Sequence, residues 1–167
     1  MRSVPVAAAA GAALLAAAAA GASTASVTLP VSATVTTACS VAALPLAFGN
    51  YTPLAGAVTG TTRIRVGCTR GTRFKVALGL GATPGSTVAQ RLLGNGGHTL
   101  QYNLYTNPAH TRVWADGTAG SRTRGGRGRG PARPVALTAY GLLPDSAANR
   151  LAVPGTYSAT IVVSVSY

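Results

Sequence analysis

From Tyr157 to Tyr167 the chain alternates apolar and polar side chains. Tyr157, Ala159, Ile161, Val163, Val165 and Tyr167 fall on one side, and Ser158, Thr160, Ser164 and Ser166 on the other, with Val162 alone out of step. A period of two with β-branched residues describes a strand with one buried face, and a helix cannot satisfy it. The same signature recurs upstream. Residues 61–68 set Ile64 and Val66 against Arg63 and Arg65; residues 73–80 place Phe74, Val76 and Leu78 together; residues 99–105 do the same with Leu100, Tyr102 and Leu104. Residues 135–142 form another predicted strand, and a shorter one is expected from Leu44 to Tyr51, ending in a turn at Gly49-Asn50. With 21 Gly and 10 Pro punctuating these runs, and no amphipathic helix among them, the pattern predicts an all-β sandwich.

One further alternating run stands apart, near the N-terminus. Val27, Leu29, Val31, Ala33 and Val35 alternate with Thr28, Pro30, Ser32, Thr34 and Thr36. It reads as a strand, with Pro30 removing one ladder donor on the polar side. Taken alone, it suits the first strand of an ordinary closed sandwich.

Ahead of it lies an address. Met1-Arg2 is a short positive start, Val4 to Ala20 is uncharged and composed of small apolar residues, and Ala22-Ser23-Thr24-Ala25 offers a cleavage site. This is the secretory leader pattern, assigned to residues 1–25 with cleavage after Ala22 or Ala25. The run falls short of the ~20 residues a spanning helix needs, and no integral membrane segment is expected in the mature chain. Export places Cys39 and Cys68 in an oxidising compartment, where a two-cysteine chain forms one disulfide; the alternative is two buried free thiols.

The ionisable residues exclude most enzyme chemistry. Two acids (Asp116 and Asp145), two histidines (His98 and His110) and one lysine (Lys75) face thirteen arginines, for a formal charge of +12. Neither histidine lies in a metal-ligand spacing, both fall in loop-like sequence, and no Gly-x-Ser-x-Gly elbow is present. No catalytic residue, metal site or cofactor is expected, and Lys75 reads as an outward strand residue. The basic segment Ser121 to Pro134 carries Arg122, Arg124, Arg127, Arg129 and Arg133 among glycines and prolines. It reads as a mobile loop, either simply solvated or a contact for polyanions, and it lacks aromatics for a specific nucleic-acid site.

Taken in order, several short pieces resemble the spore coat protein U domain family, secreted pilin subunits of the archaic chaperone–usher pathway. These are Cys39-Ser40-Val41, Phe48-Gly49-Asn50-Tyr51, Val66-Gly67-Cys68-Thr69 and Arg91-Leu92-Leu93. Leu100 to Tyr105, Trp114-Ala115-Asp116-Gly117, Tyr140-Gly141, Pro154-Gly155-Thr156-Tyr157 and Val163 to Tyr167 complete the series. Ala115 stands where the family usually has glycine, and Ala159 where it often has aspartate. The resemblance implies an incomplete immunoglobulin-like β-sandwich over residues 38–167, completed by a donated strand. It makes residues 26–37 the donor, through Val27, Leu29, Val31, Ala33 and Val35. Tyr157, Ile161, Val163, Val165 and Tyr167 become the acceptor groove and chaperone contact, with help from strands near Val41–Phe48. The implied partners are a periplasmic chaperone, an outer-membrane usher and neighbouring subunits in a head-to-tail polymer serving attachment or biofilm formation. A self-contained secreted sandwich that binds extracellular DNA or polysaccharide through its arginine loop is the competing expectation.

Overall fold

The computed structural model describes residue 21 and residues 23–167; the leader assigned to residues 1–25 lies almost wholly outside the described residues. Among the described residues, eight strands form two antiparallel sheets. They are β1 (Cys39–Ala43), β2 (Val58–Cys68), β3 (Arg73–Leu78), β4 (Arg91–Asn95), β5 (His98–Tyr105), β6 (Arg124–Arg127), β7 (Val135–Leu143) and β8 (Val163–Ser166). The larger sheet runs β1-β2-β7-β5-β4 and the smaller β6-β3-β8. A single helical turn, α1 (Ala147–Arg150), follows β7 and is capped by Ser146, whose hydroxyl accepts the Asn149 N–H.

The alternation seen in the sequence becomes the inside and outside of an immunoglobulin-like sandwich. Ile64 and Val66 of β2, Phe74, Val76 and Leu78 of β3, Leu100, Tyr102 and Leu104 of β5, and Leu137 and Ala139 of β7 are all buried in one shared core. Trp114 lies at its centre with no exposed surface, and its indole N–H donates to the Val76 carbonyl at 3.0 Å. Ala115, where the family usually has glycine, is also fully buried. Its N–H donates to the Arg122 carbonyl and its own carbonyl accepts the Leu78 N–H. Cys39 and Cys68 are bonded to each other, directly opposite in the β1–β2 ladder. Closing a loop of that length stabilises the fold by ~3–4 kcal/mol, chiefly through the unfolded chain.

Several expectations are corrected. Residues 27–35 alternate but form no ladder, and Val27, Leu29, Val31 and Val35 are more than four-fifths exposed; a strand needs a partner strand, and none is paired with them among the described residues. Residues 44–51 are not a strand either. Pro45 has no N–H to give a ladder, and Leu46 and Phe48 instead turn onto the sheet's inner face, over the register pair Gly60 and Gly141. The last strand is confined to Val163–Ser166, and Ala159 to Ile161 make no backbone–backbone bond among the described residues. The arginine-rich segment is not a mobile loop. Gly126 lies against the tip of the Phe74 ring, Gly128 is packed against Cys68 and Thr69, and β6 pairs with β3. Glycine permits these contacts, since a Cβ at either position would collide with its neighbour. The glycine-rich stretch between Gly79 and Gly97 likewise contains β4, anchored by a buried Arg91. His98 opens β5 and is exposed, whereas His110 is half-buried, edge-on to Tyr105.

Candidate functional site

Both sheets have an open edge on the same side of the sandwich. β1 is the last strand of its sheet and β8 the last of the other. The direction of the open hydrogen bonds on β8 follows from its partner. The carbonyls of Val76 and Leu78 face Trp114 and Arg91, so β3 turns its alternate residues, Lys75 and Ala77, towards Ser166 and Ser164. The Gly79 N–H continues this ladder to the Val162 carbonyl at 2.8 Å. The backbone groups of Val163 and Val165 therefore point to the unpaired side.

Between these edges is a cleft of about 1090 Å³. One wall is the segment from Ala43 to Tyr51, and the other runs from Ala152 to Val163. Its floor is core: Ile64, Leu78, Leu100, Tyr102, Leu104 and Ala139. Packed interiors leave few voids larger than a water molecule, and this cleft leaves part of the core floor uncovered by the chain's own elements. The walls are also short of backbone partners. Leu44 makes the last ladder-like bond, to the Arg63 carbonyl, and residues 45–51 make no backbone–backbone bond among the described residues. Opposite, Ser158 exchanges two bonds with Gly94, but Ala159, Thr160 and Ile161 make none among the described residues.

Of the residues expected to line an acceptor groove, Tyr157, Ile161 and Val163 line the cleft. Val165 lies beyond its end and packs on the core, and Tyr167 is exposed. The wall from Leu44 to Tyr51 overlaps the Val41–Phe48 region expected to help line the groove, but over these residues it is an unpaired flap and not a strand. Of the arginines expected to meet polyanions, Arg124 is taken up internally. It donates to the Thr106 carbonyl at 2.8 Å and lies 5.8 Å from the Trp114 ring centre. Arg122, Arg127, Arg129 and Arg133 are exposed.

The flap is held at its far end by a polar clasp. The Tyr51 hydroxyl donates to Asp145 at 2.6 Å, the Leu54 N–H reaches the same oxygen at 3.3 Å, and Arg150 donates to the other oxygen at 3.0 Å. These donors hold the Asp145 carboxyl down at about 2, while burial and the neighbouring carboxylate push the Tyr51 hydroxyl up to about 12. A depressed carboxyl stabilises the fold above its unfolded value and loses that contribution as pH falls through its folded one. The clasp should weaken between about pH 4 and pH 2 at one extreme and between about pH 10 and pH 12 at the other. Asp145→Asn is expected to lower the melting temperature at neutral pH and to flatten the acid limb. A thermal-melt series over pH 2–7 checks this, and an unchanged acid limb would remove Asp145 from its cause.

The spore coat protein U domain pattern matches residues 25–164, most of the chain. The chain belongs to the spore coat protein U domain family. A search of curated protein sequences finds no match to this family member. Among solved structures it is similar to a chain in the crystal structure of the CsuC–CsuE chaperone–tip adhesion subunit pre-assembly complex from archaic chaperone–usher Csu pili of Acinetobacter baumannii. The TM-score is 0.50 at 20% sequence identity, covering 80% of this spore coat protein U chain and 41% of that one. The likeness is one of fold, and this chain spans well under half of the solved chain's length.

Proposed function

We propose that this protein is an exported structural subunit of an archaic chaperone–usher pilus, polymerised by donor-strand exchange. In this reading residues 1–25 are the leader, residues 26–37 are the donor, and residues 38–167 are the acceptor sandwich. The observation that carries the reading is the open apolar cleft beside the unpaired side of β8. An alternating apolar segment with no ladder of its own, Val27 to Val35, is available in the same chain to fill another copy's cleft. Strand addition supplies both missing terms at once, main-chain partners for the edge and side chains for the cavity. Burying a valine or leucine there stabilises the complex by roughly 1.5–3 kcal/mol per side chain before the donor's ordering cost. A periplasmic chaperone would cover the cleft in transit, docking along Tyr157 to Tyr167, and an outer-membrane usher would exchange it for the next donor. Head-to-tail contact of this kind does not close, so the product is a filament at the cell surface, suited to attachment or biofilm formation.

Mixing two complementary variants tests this. The full chain carrying Val31→Asp and Val35→Asp keeps its cleft and loses its donor, whereas the chain carrying Ile161→Asp keeps its donor and loses its cleft. Each alone is expected to stay monomeric in size-exclusion chromatography while the unaltered chain forms polymers. The mixture is expected to yield a dimer and nothing larger. Polymers of either variant alone would refute strand exchange through these residues.

A further inference from the structure

The outer face of the β6-β3-β8 sheet carries an arrangement that strand exchange does not use. Arg73 of β3 and Arg127 of β6 are register partners, exposed on the same face. Partners in an antiparallel ladder sit with Cβ atoms about 4.5–5.5 Å apart, and like charges directly opposite are destabilising. Lys75 lies two residues along β3 on the same face, and Arg129 follows Arg127 beyond the end of β6; both are exposed. Among the described residues no carboxylate forms an ion pair with this group. The chain's two side-chain carboxylates are engaged elsewhere, Asp145 by Arg150 and Tyr51, and Asp116 by Thr118. The one ion pair among the described residues is Arg150–Asp145.

We infer that this face is a binding site for an acidic polysaccharide, with Arg73, Lys75, Arg127 and Arg129 meeting carboxylate or sulfate groups along the glycan. Guanidinium groups take such anions bidentately, and a ligand anion between Arg73 and Arg127 converts a repulsion into two charge-assisted contacts. The ladder fixes the spacing of the cations, which suits a ligand with regularly repeated charges. Ser166, opposite Lys75, and Ser164 add exposed hydroxyls at the sheet's other side. The outward positions of the three strands hold no aromatic residue on which bases could stack, which favours a glycan over single-stranded nucleic acid. The site replaces the mobile arginine loop expected from the sequence with a fixed sheet surface, and it does not depend on strand exchange.

Net positive charge alone would draw any polyanion, so the test compares variants of equal charge. Binding of the full chain to polygalacturonate is measured by isothermal titration, beside R73Q/R127Q and R63Q/R65Q, the latter pair on the outer face of the other sheet. The first double variant is expected to lose roughly tenfold or more in affinity, and the second less than about threefold by the same scale. Without ligand, R73Q is expected to melt about 1–4 °C higher, through relief of the opposed pair. Equal losses in both double variants, or no binding, would overturn the inference in favour of diffuse charge. Tighter binding of duplex DNA than of polygalacturonate, lost selectively in R73Q/R127Q, would overturn it in favour of a nucleic acid surface.

Discussion

A chain beginning at Ala38 should melt on the order of 10 °C higher when a peptide covering Ser26 to Thr37 is added in large excess. The size follows from mass action. A ligand bound only by the folded state contributes about 4 kcal/mol at a thousand times its dissociation constant, and each kcal/mol moves the melting point of a domain this size by roughly 3–5 °C. The effect should be large because the cleft offers both about 1090 Å³ of space floored by apolar core and an unpaired edge, and the peptide supplies matching parts. Peptide with Val31→Asp and Val35→Asp should give no shift. Each carboxylate would enter a cleft walled by Phe48, Tyr157 and Ile161, where desolvation costs several kcal/mol without a counter-charge. Differential scanning fluorimetry reads the outcome. A domain that is already stable and indifferent to the peptide would mean that the cleft is filled by something other than this segment.

The parts of the fold legible in the sequence are those where one face is buried and the partner is regular. Ile64, Val66, Phe74, Val76, Leu100 and Leu137 alternate because each strand separates core from solvent, and the periodicity reports that directly. The cleft walls were less legible for the same reason. Leu46 and Phe48 alternate like strand residues, but they bury themselves on the glycine pair Gly60 and Gly141 without joining a ladder. Period two records a half-buried extended backbone and is silent on whether hydrogen-bonding partners exist. Val163 and Val165 give an identical signal on an edge strand and on a central one. The arginine-rich segment misled in the opposite direction. Its glycines looked like flexibility, whereas Gly126 and Gly128 are close-approach positions that let β6 lie against Phe74 and Cys68. Arg91 was invisible as a core residue, since arginine is among the residues least often buried.

Replacing Arg91 by methionine is expected to lower the melting temperature by roughly 10–20 °C, a cost of about 3–5 kcal/mol. Arg91 has no exposed surface. It donates from Nε to the Gly79 carbonyl at 3.0 Å, from one terminal nitrogen to the Leu78 and Trp114 carbonyls at 3.3 and 2.8 Å, and from the other to Asn103 Oδ1. Its acceptors come from the end of β3, the segment at Trp114 and β5, so one planar group ties the two sheets together beside the cleft floor. Burial lowers its pKa, and carbonyl dipoles with one amide oxygen do the work that a buried carboxylate would otherwise do. Methionine keeps the apolar stem but leaves those acceptors without their donor, and unsatisfied buried acceptors cost about 1–3 kcal/mol each where water cannot reach them. Lysine retains the charge but is a point donor on a flexible stem and cannot span the same fork; its melting temperature should fall between those of methionine and arginine. Leu93, two residues along β4, and Tyr102, the register partner of Arg91, both line the cleft. The methionine variant should therefore bind the Ser26–Thr37 peptide more weakly as well as melt earlier. A methionine variant within a few degrees of the unaltered protein would show that the guanidinium is dispensable and that the sheets are held by the apolar core alone.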